Sequence, residues 1–385
     1  MQTSKTSTLF QYNGYSSINT CPSYTIQNLM GTDLNIKDKS AVNIKAKRNS
    51  NFEMLRIIAM LMIVIGHLYK FWYESDSPES ARNLENLFTP WFLTNQGVDI
   101  FILISGVFGI NASLRKYANL WITIVYYSFI SAIICVIFMH IPASKIIIWP
   151  LRDALVVPTS FWFIASYFAL MLISPFINTL FKKPKITQLV YLCIFCYVDF
   201  IFQTMRPGFY GLTTWGGALL HFTTLYILGR IITLWNIRYN ITVCIFAYIL
   251  IVLGGYFLYE SRLYSGSDTS VWIVFPSVCL ILIFKSIKPF YNSVINNIAK
   301  ASLGVYCFHA RSQALVALIA NPILFITYER YGNLPALIAA IIMAGAIYLI
   351  TLPFDWVRLK YSYVPERIIT TLYTKLKVKL QNYIH

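Results

Sequence analysis

Apolar residues in this chain fall into blocks of about twenty separated by short polar stretches, and a helix of about twenty residues is what crossing about 30 Å of hydrocarbon requires. Ten blocks are read this way, as helical spans over 54–73, 90–110, 119–140, 160–181, 186–203, 215–235, 240–259, 270–288, 300–320 and 334–356. Residues 1–50 are rich in Ser, Thr, Asn and Lys and lack the apolar run behind a charged start that a cleavable signal has, so they read as a disordered polar tail. Residues 357–385 alternate apolar residues with Lys and Arg, the pattern of an amphipathic helix lying on a membrane surface. The expected architecture is an all-α integral membrane bundle of about ten transmembrane helices over 51–356, flanked by the polar tail 1–50 and the basic tail 357–385.

Composition agrees with lipid as the main solvent. Of 385 residues, 57% are hydrophobic and only 12% charged, against roughly a quarter charged in a soluble domain. The formal charge of +16 would suggest nucleic acid in a soluble protein, but here Lys and Arg sit mainly in the short loops between apolar blocks. They therefore report topology, and no nucleic-acid partner is expected. Placing the richest basic segments, among them Lys182, Lys183 and Lys185 and the Lys and Arg of the two tails, on the cytoplasmic side puts both termini there. Six of the seven cysteines, Cys135, Cys193, Cys196, Cys244, Cys279 and Cys307, lie inside apolar blocks, with Cys21 outside them. Cys193 and Cys196 form a C-x-x-C, yet no partner ligands accompany it, so the cysteines read as packing residues and no metal is expected.

Ionisable residues inside spans are costly and become the first functional candidates. Arg56 and His67 lie eleven residues apart in NFEMLRIIAMLMIVIGHL, only about 20° beyond three full turns, so they share a face and stand about 16 Å apart along the axis. Arg56 can snorkel to headgroups while His67 satisfies a neighbouring carbonyl. The shared face also suits a ligand with an anionic group at the cytoplasmic side and a reactive end within the membrane. In the second block, GVDIFILISGVFGI, Asp99 falls at the depth of His67 if the two helices run antiparallel, where a carboxylate can fix an imidazole tautomer. Packing against a basic residue or hydroxyl is the other reading of Asp99. His221, Arg230, His309 and Arg311 are further intramembrane groups, whereas His140 and His385 sit at ends.

The ordered stretches NFEMLRIIAMLMIVIGHL, GVDIFILISGVFGI with LRKYANLW, SFWFIASYFALMLISPFIN, HFTTLYILGRII and NIAKASLGVYCFH resemble the membrane-bound acyltransferase family 3, O-acyltransferases of surface polysaccharides, over about residues 51–320. The resemblance implies an acyl-CoA donor arriving from the cytoplasm, His67 as the catalytic histidine and Arg56 as an essential arginine on its face. Asp99 and Ser105 match the second motif and His309 the histidine of the late one, where relatives often continue with an acidic residue and this chain has Ala310. The stand-alone form of the family is implied, in the cytoplasmic membrane, with no tightly bound cofactor and acetyl-CoA or another acyl-CoA as donor substrate.

The chemistry is consistent with these residues. A thioester is already activated, so transfer to a sugar hydroxyl needs mainly a general base and a site for the developing oxyanion. His67 is the expected base, while Arg56, Arg115 and Lys116 are placed to hold CoA phosphates. Trp91, Trp162 and Trp215 lie where stacking on a carbohydrate acceptor is open to them, although an interfacial aromatic belt explains them equally. A transporter or flippase of a polysaccharide precursor is the competing class, usually marked by inverted repeats, and no internal repeat is evident.

Overall fold

The computed structural model describes residues 49–74, 94–155, 161–204, 218–235, 237, 239–260 and 270–384. Among them every regular element is a helix: α1 (Ser50–Glu74), α2 (Gln96–Phe108), α3 (Leu114–Met139), α4 (Lys145–Ala154), α5 (Trp162–Leu180), α6 (Lys185–Thr204), α7 (Ala218–Leu234), α8 (Ile241–Glu260), α9 (Val271–Ser286), α10 (Ser293–Lys300), α11 (Ser302–Arg311), α12 (Gln313–Tyr331), α13 (Asn333–Tyr361) and α14 (Tyr363–Ile384). The polar tail lies outside the described residues except for Asn49 and Ser50.

Among the described residues five helical stretches are long and apolar enough to cross a membrane: Ser50–Tyr69, Leu114–Met139, Trp162–Leu180, Ile241–Leu258 and Asn333–Tyr361. A sixth arises if Ser293–Arg311 and Gln313–Tyr331 are taken as one span bent by 82°. The apolar helices α2, α7 and α9 are shorter, at 13, 17 and 16 residues. Two expectations therefore change in detail. The continuous span over 300–320 is broken at Ser312, because hydropathy counts apolar residues and not backbone direction. The tail 357–385 begins inside α13, which runs on to Tyr361 before α14 starts.

Outward faces are apolar. On α8, Val243, Phe246, Leu250 and Phe257 are all exposed, and a helix apolar on every side that is not buried in protein belongs in lipid. Inside, Leu55, Met60, Ile100, Leu103, Tyr127 and Phe222 are fully buried in one apolar cluster. Close backbone approach organises that cluster. A Cβ on Gly106 would stand 2.5 Å from Tyr226 O, and one on Gly229 2.5 Å from Leu103 O, so α2 and α7 cross where neither tolerates a side chain.

Polar contacts fix the helix ends that carry the site. Ser50 Oγ donates to Asn296 Oδ1 (2.9 Å) and accepts from Asn292 N (2.7 Å), while Asn51 Nδ2 donates to Ile287 O (2.6 Å). These contacts tie the start of α1 to the 287–296 segment. Asn292 also caps α10, accepting from Val294 N and Ile295 N. At the other flank Arg358 on α13 grips Asp355 through two nitrogens (2.7 and 3.2 Å) and reaches Thr123 Oγ1 (3.0 Å) and Asn119 Oδ1 (3.2 Å) on α3. The buried ion pair thereby spends its donors across a helix interface, the satisfied form such pairs require.

Candidate active site

Two histidines meet in the bundle. His67 Nδ1 lies 2.7 Å from His309 Nε2, with ring centroids 4.9 Å apart and planes tilted by 45°. His309 is fully buried on α11, and its Nδ1 is 2.6 Å from Val305 O one turn back. A carbonyl only accepts, so His309 Nδ1 carries the proton and Nε2 of the neutral ring carries a lone pair. His67 Nδ1–H then donates to it, leaving Nε2 as the basic nitrogen of His67. An imidazole held by a partner at one nitrogen and basic at the other has the arrangement of a general base. The Tyr306 ring lies edge-on to His309 at 5.8 Å, and Phe163 lies 5.2 Å beyond Tyr306.

Phe163 also forms part of the wall of a cavity of about 390 Å³, to which Arg56, Met60, Ser105, Lys116 and Tyr167 contribute. Arg56 Nη1 pairs with Glu53 Oε1 at 2.6 Å, and its guanidinium stands 5.7 Å from the Phe108 ring centroid. Lys116 Nζ donates to Asn111 O (2.7 Å). Ser105 Oγ donates to Phe101 O (3.0 Å) and lies 3.4 Å from Tyr167 Oη. The lip is the link between α2 and α3, which leaves α2 through Gly109 at φ 75°, a conformation glycine adopts without strain. A closed set of bonds holds that link: Ile110 N donates to Tyr226 Oη (3.0 Å), Tyr226 Oη to Asn178 Oδ1 (2.7 Å), and Asn178 Nδ2 to Ile110 O (3.0 Å). Cations thus stand at one end of α1's inner face and the histidine pair at the other. The helix spacing between Arg56 and His67 is about 16 Å.

Other expected site residues lie elsewhere. Asp99 is not beside His67. A Cβ on Gly97 would stand 2.5 Å from Ala59 O, and Phe108 meets Phe52 at 5.1 Å, so α2 pairs with α1 in a register that sets Asp99 near the level of Met60. That is about 10 Å along the axis from His67. The expectation of equal depth rested on the antiparallel run of the two spans, which fixes no register between them. Asp99 Oδ1 instead lies 3.1 Å from His221 Nε2, and His221 Nδ1 lies 2.9 Å from Asp199 Oδ2, so one buried imidazole joins α2, α7 and α6. The sequence marks Asp199 only as a lone acid in an apolar block, and nothing local pairs it with a helix 22 residues away.

Arg115 is three-quarters exposed, forms an ion pair with Glu366 on α14, and is absent from the cavity wall. Trp162, half-buried, packs 6.2 Å from both Phe163 and Phe222. Trp91 and Trp215 lie outside the described residues. Arg311, two residues beyond His309, pairs with Asp153 (3.1 Å) and stacks 3.9 Å from the Trp149 ring centroid, fastening α4 to the end of α11. No group of three or more His, Cys, Asp or Glu suited to a metal occurs among the described residues.

A family model described as an acyltransferase domain matches residues 49–355, a range that contains the histidine pair, the cavity and the Asp99–His221–Asp199 bridge. No curated protein and no solved structure matches the chain.

Proposed function

The chain belongs to the membrane-bound acyltransferase family 3, and from that premise we propose that it transfers a short acyl group, acetyl above all, from acyl-CoA to a hydroxyl of a cell-surface polysaccharide or lipid-linked sugar. The observation that carries this reading is the 2.7 Å contact between His67 and His309, with the basic nitrogen of His67 turned from its partner. In the proposed step the acceptor hydroxyl gives its proton to His67 Nε2 as its oxygen bonds to the thioester carbon. The tetrahedral intermediate then expels CoA as a thiolate, and the proton on Nε2 passes to that sulfur. His309 acts as a positioning residue, its Nε2 accepting from Nδ1–H more strongly once His67 is an imidazolium.

Arg56 and Lys116 support entry of the donor at their end of the cavity, since both are cations on a wall otherwise rich in aromatic rings. On the charge distribution that end is cytoplasmic, both termini lie on the same side, and the membrane is the cytoplasmic one. Counting α1, α2, α3, α5, α6, α7, α8, α9, the bent α10–α12 segment and α13 as crossings gives ten spans. The modest cavity, about 390 Å³, and the burial of Tyr306 and His309 support a short acyl group. Ser105, with Tyr167 beside it, faces the donor's path, and Trp162 is the described aromatic residue left to the acceptor side. Arg115 contributes long-range charge.

Comparing surface-glycan mass with and without the gene tests the reading. Loss of one acetyl mass per modified sugar is expected when the gene is removed. Unchanged glycan mass in cells shown to express the protein overturns the reading.

A further inference from the structure

Arg230 is a cation with no counter-charge among the described residues. It lies one turn beyond Tyr226 on α7, where its guanidinium rests against Gly109: a Cβ there would meet Nη1 at 2.8 Å, Cζ at 3.1 Å and Nε at 3.5 Å. Its Cζ stands 5.6 Å from the Phe181 ring centroid, so three elements shape its position. Among the described residues no hydrogen bond or ion pair holds it, and its buried Nε has no partner. Other arginines in the bundle differ: Arg56 has Glu53, Arg311 has Asp153 and Arg358 has Asp355. A half-buried guanidinium left unpaired is costly unless an anion joins it.

Gly109 belongs to the wall that Arg56 and Lys116 also line, which puts Arg230 just across the lip of that cavity. At about 390 Å³ the cavity is at the small end of the range for drug-sized ligands, and a CoA molecule is larger than these. The pantetheine arm fits inside, and the nucleotide must lie over the lip. We propose that Arg230 binds a phosphate of the donor nucleotide there, its planar fork suited to two oxygens at once. This rests on acyl-CoA as the donor. A phospholipid headgroup offers the same phosphate chemistry, and the test separates the two.

Full-length protein in nanodiscs is titrated with CoA and with pantetheine, which lacks the phosphates, in zwitterionic and in anionic lipid. Arg230→Gln should weaken CoA binding by at least about tenfold, as expected for loss of one charge-assisted contact. It should leave pantetheine binding unchanged in both lipids, with Arg230→Lys in between. Gel filtration and melting of each variant verify folding, so a global defect shows as a loss for both ligands. Unchanged CoA affinity in Arg230→Gln, an equal loss for pantetheine, or a loss confined to anionic nanodiscs overturns the assignment. Wild-type protein that binds no CoA overturns the donor reading itself, and this assignment with it.

Discussion

His309 reaches His67 from 242 positions away in the chain, a contact its own motif does not reveal. Arg56 and His67 were legible because helix geometry alone places them on one face. Their partners were not, since hydropathy and spacing carry no register between helices, and Asp99 shows the cost: chosen for His67, it meets His221. If His309 orients the base, His309→Ala should lower kcat by about 10- to 1000-fold with little change in KM for acyl-CoA, a loss that overlaps the lower part of the roughly 10²- to 10⁴-fold contribution of general acid–base catalysis. His309→Gln should retain more, because its amide oxygen can accept from His67 Nδ1–H. Wild-type kcat in the alanine variant would remove His309 from the mechanism. Arg56→Lys keeps the charge and loses the planar fork, so at equal abundance the apparent KM for acyl-CoA should rise, or turnover fall, by about tenfold, near 1.4 kcal/mol. Full activity at subsaturating donor would reduce Arg56 to a point charge.

Helices α2 and α7 are the pair on which the lip of the cavity hangs. At Gly106 and Gly229 the two backbones meet with no side chain between them. The bend between α11 and α12 was not read from the sequence, because hydropathy over 300–320 carries no backbone direction, although polar Arg311, Ser312 and Gln313 stand at the break. Gly106→Ala must push its methyl against the Tyr226 carbonyl at 2.5 Å, which is backbone and has little room to yield. Overpacking of this kind costs about 1–3 kcal/mol. A clear drop in the melting midpoint of purified Gly106→Ala protein is expected. Gly345→Ala, with nothing within 4 Å of the added carbon, should melt as wild type does. Equal melting of the two variants would mean that the α2–α7 crossing is looser than described.

For the molecule as a whole, the alternation of apolar blocks and basic loops sufficed to anticipate an all-helical membrane bundle, because lipid forces every backbone amide in a span to bond within its own helix. The same charge asymmetry predicts that tags at the C-terminus and in the Lys182–Lys185 segment are shielded from reagents outside intact cells, while one near Ser77 is labelled. Labelling of the Lys182 segment from outside would invert the orientation and with it the donor's side. The proposed role of His67 as the base for acyl transfer from CoA is checked by measuring free CoA thiol released from acetyl-CoA by purified protein in the presence of a crude surface-glycan acceptor. Wild type should release thiol only when acceptor is present, and equally abundant, equally stable His67→Ala protein should release it at least about a hundredfold more slowly. Thiol release by His67→Ala at more than about a tenth of the wild-type rate would show that His67 is not the base.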